Sequence, residues 1–156
     1  MSLTSEQRQR LAAVETPAAL FAALAAVAAQ ALGCALFTAM RFDAAAGEVE
    51  RLYSTNQEAY PVGGRKTKRD TPWASLVLGE RRVFVGTGDA AIRGAFDDHA
   101  KILGLGLHSI INVPVVLAGT CVGTVNFLMC RDVVAPADVA VAEELGRVAA
   151  AAFRMA

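Results

Sequence analysis

The sequence predicts an α+β domain built on an antiparallel sheet of five or six strands, with helices on one face and a loop-lined ligand pocket on the other. Three observations predict it. From Ser109 to Leu128 two β-rich runs flank Ala118-Gly119 and are apolar on both faces, which suits a hairpin in the middle of a sheet covered twice. Two alanine-rich helical segments, Pro17–Leu32 and Pro136–Met155, carry apolar stripes at helical spacing near opposite ends of the chain. Between Asn56 and Thr71 the apolar periodicity disappears, and a loop of that length inside a compact domain is usually functional or mobile.

Taken in order, Thr4 and Gln7 suit a capping box for a first helix from Ser5 to about Val14. Pro17 opens a second helix in which Leu20, Leu24, Val27 and Ala31 form a stripe, and Gly33 ends it. Cys34–Phe42 and Val49–Thr55 read as strands paired across the turn Asp43–Gly47, with Glu50 and Arg51 marking an exposed face at or near a sheet edge. After the long loop, Thr71 is an N-cap and Pro72 the first residue of a short helix through Leu78. Arg82–Val85 is a short strand, and Ile92–Leu103 is read as one helix carrying Phe96, His99 and Leu103 on a face. In the hairpin, regular pairing sets Leu117 against Thr120, Val115 against Val122 and Ile111 against Asn126, with a bulge or break expected at Pro114.

Composition narrows the function classes. At 156 residues the chain is expected to be a single domain spanning 1–156. Fifteen Lys and Arg balance fifteen Asp and Glu, so the basic field that attracts nucleic acid or an anionic membrane is missing. The uncharged run Ala18–Met40 is mostly alanine with Gln30 and Gly33 inside it, which reads as a buried helix followed by a strand and not as a membrane span. No signal-peptide pattern opens the chain, so a cytoplasmic location is expected. Cys34, Cys121 and Cys130 are odd in number and lack CxxC spacing, and two histidines are too few for a metal centre without carboxylate help; neither a metal nor a cofactor is expected.

The candidate ligand-binding residues follow from chemistry. Arg65, Lys66, Lys68 and Arg69 precede a proline-opened helix start, whose unpaired N–H groups and dipole favour a carboxylate or phosphate. Trp73, the one tryptophan, can wall a pocket, and Tyr60 lies in the same loop. Asn112 and Asn126 are polar inside apolar strands and need partners if buried. Regular pairing sends them to opposite faces, and a bulge at Pro114 would bring them to one. Ser109 and Thr124 are placed on the Asn126 face; Tyr53 and His108 are weaker candidates.

Ser109, Val113-Pro114-Val115, Gly119 and Val122-Gly123-Thr124-Val125 resemble the last hairpin of a GAF domain, and the resemblance extends over nearly the whole chain. It implies a sensory domain holding a small ligand; the loop cations suit an anionic or zwitterionic metabolite, and the small-residue surface of the two alanine-rich terminal helices, more than one sheet face can cover, suggests a homodimer. An alternative is a dimerisation or interaction module with a vestigial pocket. A second is an enzyme like the GAF-fold free methionine sulfoxide reductases, whose chemistry needs paired loop cysteines and acidic residues. Here the long loop has no cysteine, and Asn126 and Leu128 stand where those acids are sought. The cysteine and histidine of bilin attachment and the Asn-Lys-Phe-Asp-Glu signature of cyclic-nucleotide binders are absent.

Overall fold

A strand pair apolar on both sides needs cover above and below, and the central hairpin has both in a computed structural model that describes residues 2–68 and 70–155. The elements run α1 (Ser5–Ala12), α2 (Pro17–Leu32), β1 (Cys34–Asp43), β2 (Glu48–Ser54), β3 (Arg65–Thr67), α3 (Pro72–Ala74), β4 (Phe84–Thr87), α4 (Asp89–Ala95), α5 (His99–Gly104), β5 (Ser109–Leu117), β6 (Thr120–Met129) and α6 (Pro136–Met155). The six strands form one antiparallel sheet in the order β3-β2-β1-β6-β5-β4, which puts β6 and β1 at its centre. Among the described residues no helix is long and apolar enough to cross a membrane.

The helices start and stop where the chain chemistry dictates. Thr4 and Gln7 form the capping box of α1, and Thr16 caps α2 with Pro17 in its first turn. Gly33 closes α2 at φ 65°, a left-handed conformation that glycine adopts without a Cβ clash. Helices α2 and α6 lie together on one sheet face, where Leu24, Val27, Leu145 and Ala149 meet Phe37, Ile111, Val113, Val125 and Phe127. Ala28, Ala142 and Ala149 are fully buried in this layer, and Phe21 packs edge-on against Phe153 with ring centroids 5.8 Å apart. An arginine at Ala142 or Ala149 would therefore break the core, so neither position reports on self-association.

Several expected boundaries shift. The strand expected at Arg82–Val85 runs from Phe84 to Thr87. The single helix expected over Ile92–Leu103 is two, because Phe96 is extended at φ −128° and ψ 129° and ends α4 before α5 begins. The short helix after Thr71 leaves α-geometry at Ser75 and widens into a π-turn through Gly79. A three-residue strand, β3, arises inside the expected loop. Its side chains carry no apolar pattern; backbone pairing to β2 (Glu48 with Thr67, Glu50 with Arg65) makes it a strand.

The central register differs from regular pairing, with consequences for everything on the cavity side. Leu117 does face Thr120, but Val116 then faces Cys121 and Val115 faces Gly123, leaving Val122 as the extra residue. The bulge thus lies at Val122, and Pro114 sits in register opposite Thr124, beyond the end of β4. Asn112 consequently faces Asn126, and Ile111 faces Phe127. Gly123 follows the bulge because a Cβ there would collide with the Met40 carbonyl and the Phe153 ring. Gly123→Ala is expected to lose roughly 2–3 kcal/mol in urea unfolding. Gly104→Ala, whose Cβ meets nothing within 4 Å, should be neutral or slightly stabilising; equal effects would show that the close approach at Gly123 is not limiting.

Candidate functional site

The face opposite α2 and α6 carries a second apolar cluster, with Leu36, Ile110 and Leu128 from the sheet under Trp73, Val77, Phe96 and Ile102 from the covering segments. The cover is incomplete. Between the sheet, the Ala59–Trp73 segment and the α4–α5 junction lies a cavity of about 300 Å³, at the low end of small-molecule sites.

Its floor is a relay of side-chain hydrogen bonds with a fixed direction. Trp73 Nε1–H, a donor only, gives to Asn112 Oδ1 at 2.9 Å; Asn112 Nδ2–H gives to Asn126 Oδ1 at 2.7 Å. Asn126 Nδ2 then donates to Thr38 Oγ1 at 3.1 Å and to the Thr38 carbonyl, an acceptor only, at 3.4 Å. The donor at one end and the carbonyl at the other fix both amide orientations. Asn112, Asn126 and Thr38 are all buried, so each bond in the relay removes an otherwise unpaid desolvation. The register shift at Val122 makes this possible, because it sets the two amides directly opposite each other.

The mouth is charged. Tyr60, held by the turn that begins at Asn56, donates its hydroxyl to Asp98 Oδ2 at 3.0 Å; burial and the Asp98 charge push its pKa up, so it stays a neutral donor. Arg51 and Lys101 stand over the Tyr60 ring at 5.0 and 4.4 Å from its centroid. Arg51 gives one N–H to the Pro61 carbonyl, while its Nε is buried without an acceptor, and burial lowers its pKa. The Lys68 ammonium lies 5.0 Å from the Trp73 centroid and 5.9 Å from that of Phe96. It has no carboxylate within 4.0 Å among the described residues, and burial lowers its pKa, with the Lys66 and Arg51 charges adding to the shift.

The predicted site residues fall into three groups. Trp73, Tyr60, Asn112 and Asn126 line the cavity. Arg65 also borders it, but its guanidinium is engaged by Glu48 at 3.0 Å and by Asp43 and Glu50 at 3.3 Å, so it ties β3 to β2. Lys66 is similarly paired with Asp97 at 2.7 Å. Arg69 lies outside the described residues. Ser109 and Thr124 do not line the cavity. Ser109 pairs with Met129 and shares the helix-side face, opposite to that of Asn126, which corrects the expected placement. Thr124 keeps the parity of Asn126 but is wholly buried between Met40 and Pro114 in register. Tyr53 packs with Phe21 on the helix side, and His108 Nδ1 is 2.6 Å from Asp89 away from the cavity.

At the helix start, two N–H groups are already used by Thr71 and one position has none. Pro72 has no N–H, Ala74 N–H goes to Thr71 Oγ1 at 3.0 Å, and Ser75 N–H goes to the Thr71 carbonyl at 3.0 Å. Sequence reasoning missed Arg51, Lys101 and Asp98. Arg51 reads in sequence as the mark of a solvent face, and the other two fall inside the single helix expected over Ile92–Leu103, where nothing local marks them. The three cysteines are unpaired and none borders the cavity; burial pushes the Cys34 thiol up to about 12 and raises that of Cys121.

Comparison with known proteins places this geometry. A family model described as GAF domain matches residues 16–153. The GAF domain of a phosphoenolpyruvate-protein phosphotransferase from Coxiella burnetii superposes with a TM-score of 0.78 at 16% identity, over 96% of this chain and 89% of that one. The corresponding Acinetobacter domain gives 0.75 at 14% identity over the same shares of the two chains. The chromophore-binding domain of a bacteriophytochrome from R. palustris gives 0.70 at 12% identity, over 93% of this chain and 57% of that one. At these identities the likeness is one of fold. No curated protein matches the chain.

The relay makes a quantitative prediction. Trp73→Phe keeps an aromatic ring but strands Asn112 Oδ1, and should lose about 1–3 kcal/mol, read by urea unfolding followed by circular dichroism. In an Asn112→Leu background the same change should lose measurably less, because the acceptor is already gone. Additive losses would show that the hydrogen bond is energetically silent.

Proposed function

The chain belongs to the GAF domain family, and from that premise we propose that it is a non-catalytic sensory domain whose cavity binds a small organic anion. The family commonly senses small molecules in signalling proteins. The observation that carries the reading is Lys68, an ammonium drawn over two aromatic faces into a half-buried position with no carboxylate within 4.0 Å among the described residues. A half-buried cation whose nearest carboxylates, Asp97 and Asp98, act on it only from beyond contact distance is costly in the empty protein, and an entering anion relieves that cost. Arg51, with its buried Nε lacking an acceptor, adds a second such group. Asp98 is the sole carboxylate on the cavity wall among the described residues, and it is already taken by Tyr60 and faced by Lys66 at 3.9 Å. That favours an anion over a zwitterion, whose ammonium would need a free carboxylate.

The cysteines support a binding role over thiol chemistry, since the two with raised pKa values hold little thiolate at neutral pH and Cys130 stands apart from the cavity. A second copy of the chain is the proposed protein partner. The outward residues Ala18, Ala22 and Ala29 of α2 are available to it, whereas Ala142 and Ala149 are not. The proposed location is the cytoplasm.

Native mass spectrometry of the purified protein should show a co-purified acidic small molecule, absent from Lys68→Met. Ligand-free Lys68→Met should in turn be more stable than the wild type at neutral pH. Folding lowers the Lys68 pKa below the ordinary 10.5, so the unfolded chain binds its proton more tightly. The penalty is present in full below the lowered pKa and fades as pH rises from there to 10.5. The stability gap between the two proteins should therefore narrow across that window; a gap independent of pH would remove Lys68 as its source. Replacing Cys34, Cys121 and Cys130 together with alanine should leave binding within about twofold, about 0.4 kcal/mol. Thiol-dependent reduction of free methionine sulfoxide by the wild type would overturn the non-catalytic reading.

A further inference from the structure

We propose that the ligand is a compact aromatic monocarboxylate whose ring lies against Trp73 and whose carboxylate spans Lys68 and Arg51; this rests on the reading of the cavity as an anion site.

Size comes first. A cavity of about 300 Å³ is at the low end of small-molecule sites, which suits a ligand of one ring and a head group.

Polarity comes next. The floor has its strong groups engaged with one another: the indole N–H, both amide oxygens and the Asn126 nitrogen are partnered within the relay. A ligand rich in hydroxyls would leave its own groups unsatisfied over this floor, and hydrogen bonds of that kind are expensive to leave unmade. The walls are instead Leu36, Ile110 and Leu128 below and Trp73, Phe96 and Tyr60 around, which suits a flat apolar body. Trp73 is a preformed platform because its hydrogen bond to Asn112 fixes the ring plane before any ligand arrives.

Charge sets the head group. Arg65 and Lys66 are engaged by carboxylates, and Lys101 is exposed, which leaves Arg51 and Lys68 as the half-buried cations. The two line the same cavity. One carboxylate offers an oxygen to each. Since Lys68 already stands over the indole, a carboxylate at its ammonium carries its attached ring alongside Trp73.

The test titrates the full chain with benzoate, phenylacetate and cinnamate, read by calorimetry and by the fluorescence of Trp73, the only tryptophan. Comparators are benzamide, phenylalanine, gluconate, cyclic AMP and phenyl phosphate. At least one aromatic acid should bind tenfold or more tightly than benzamide and quench Trp73. Lys68→Met and Arg51→Met should each weaken it tenfold or more, Arg51→Lys less, and Arg154→Gln not at all. Unfolding midpoints of the variants check that they are folded, and Arg51→Lys carries the test if Arg51→Met is not. Benzamide binding as well as the acids, or phenyl phosphate binding more tightly than any of them, would overturn the carboxylate. If phenylalanine, gluconate or cyclic AMP quenches Trp73 and the aromatic acids do not, the ligand class is wrong while the cavity remains a small-molecule site. Silence from every probe overturns both.

Discussion

The cavity side of this domain depends on one hydrogen bond between two buried amides, Asn112 to Asn126 at 2.7 Å. Neither amide can be buried alone without losing its hydration, so they are acceptable in the paired strands β5 and β6 only as a pair and only in the register that sets them opposite each other. That register requires the extra residue at Val122 and, beside it, a residue with no Cβ at Gly123. From the pair the bonding runs outward in both directions, to Thr38 on β1 and to Trp73 in α3. The position of the covering segment is thereby referred to the middle of the sheet.

The two faces of the sheet are built for different work. On the helix side, buried alanines on α2 and α6 and glycine at 146, where a Cβ would strike Val113, bring the helices close to the sheet and give a closely packed layer. On the other side the cover is assembled from short pieces: a three-residue edge strand, a helix that widens after one turn, and two short helices broken at Phe96. Short elements cannot present a continuous apolar face, and the space they fail to fill is the cavity.

Charge is sorted in the same way. The cations around the mouth divide between those with a carboxylate in contact and those without. Arg65 and Lys66 face acids of β2 and of the α4–α5 junction and hold the mouth together. Lys68 and Arg51 rest on aromatic rings, where cation–π attraction replaces part of the lost hydration but supplies no counter-charge. The net charge of zero for the whole chain hides this local imbalance.

Local chemistry was enough to determine the first two helices with the cap at Thr4, the opening at Pro17 and the stop at Gly33, the central hairpin, and the placement of an interrupted loop segment opposite the helix layer, because periodicity and capping act over a few residues. It was enough to flag Asn112, Asn126 and Trp73 as unusual. Which face the two amides share could not be read, since a single extra residue in a strand reverses parity and nothing in the composition around Val122 announces it. The same limit applies to Ser109, which parity puts on the helix side, and to Arg51, whose charge in a strand reads as solvent exposure until Tyr60 folds over it. β3 is a strand only because β2 offers it an edge. The cavity's chemistry was set by pairing and packing between residues far apart in the chain, and only the tertiary structure brings those together.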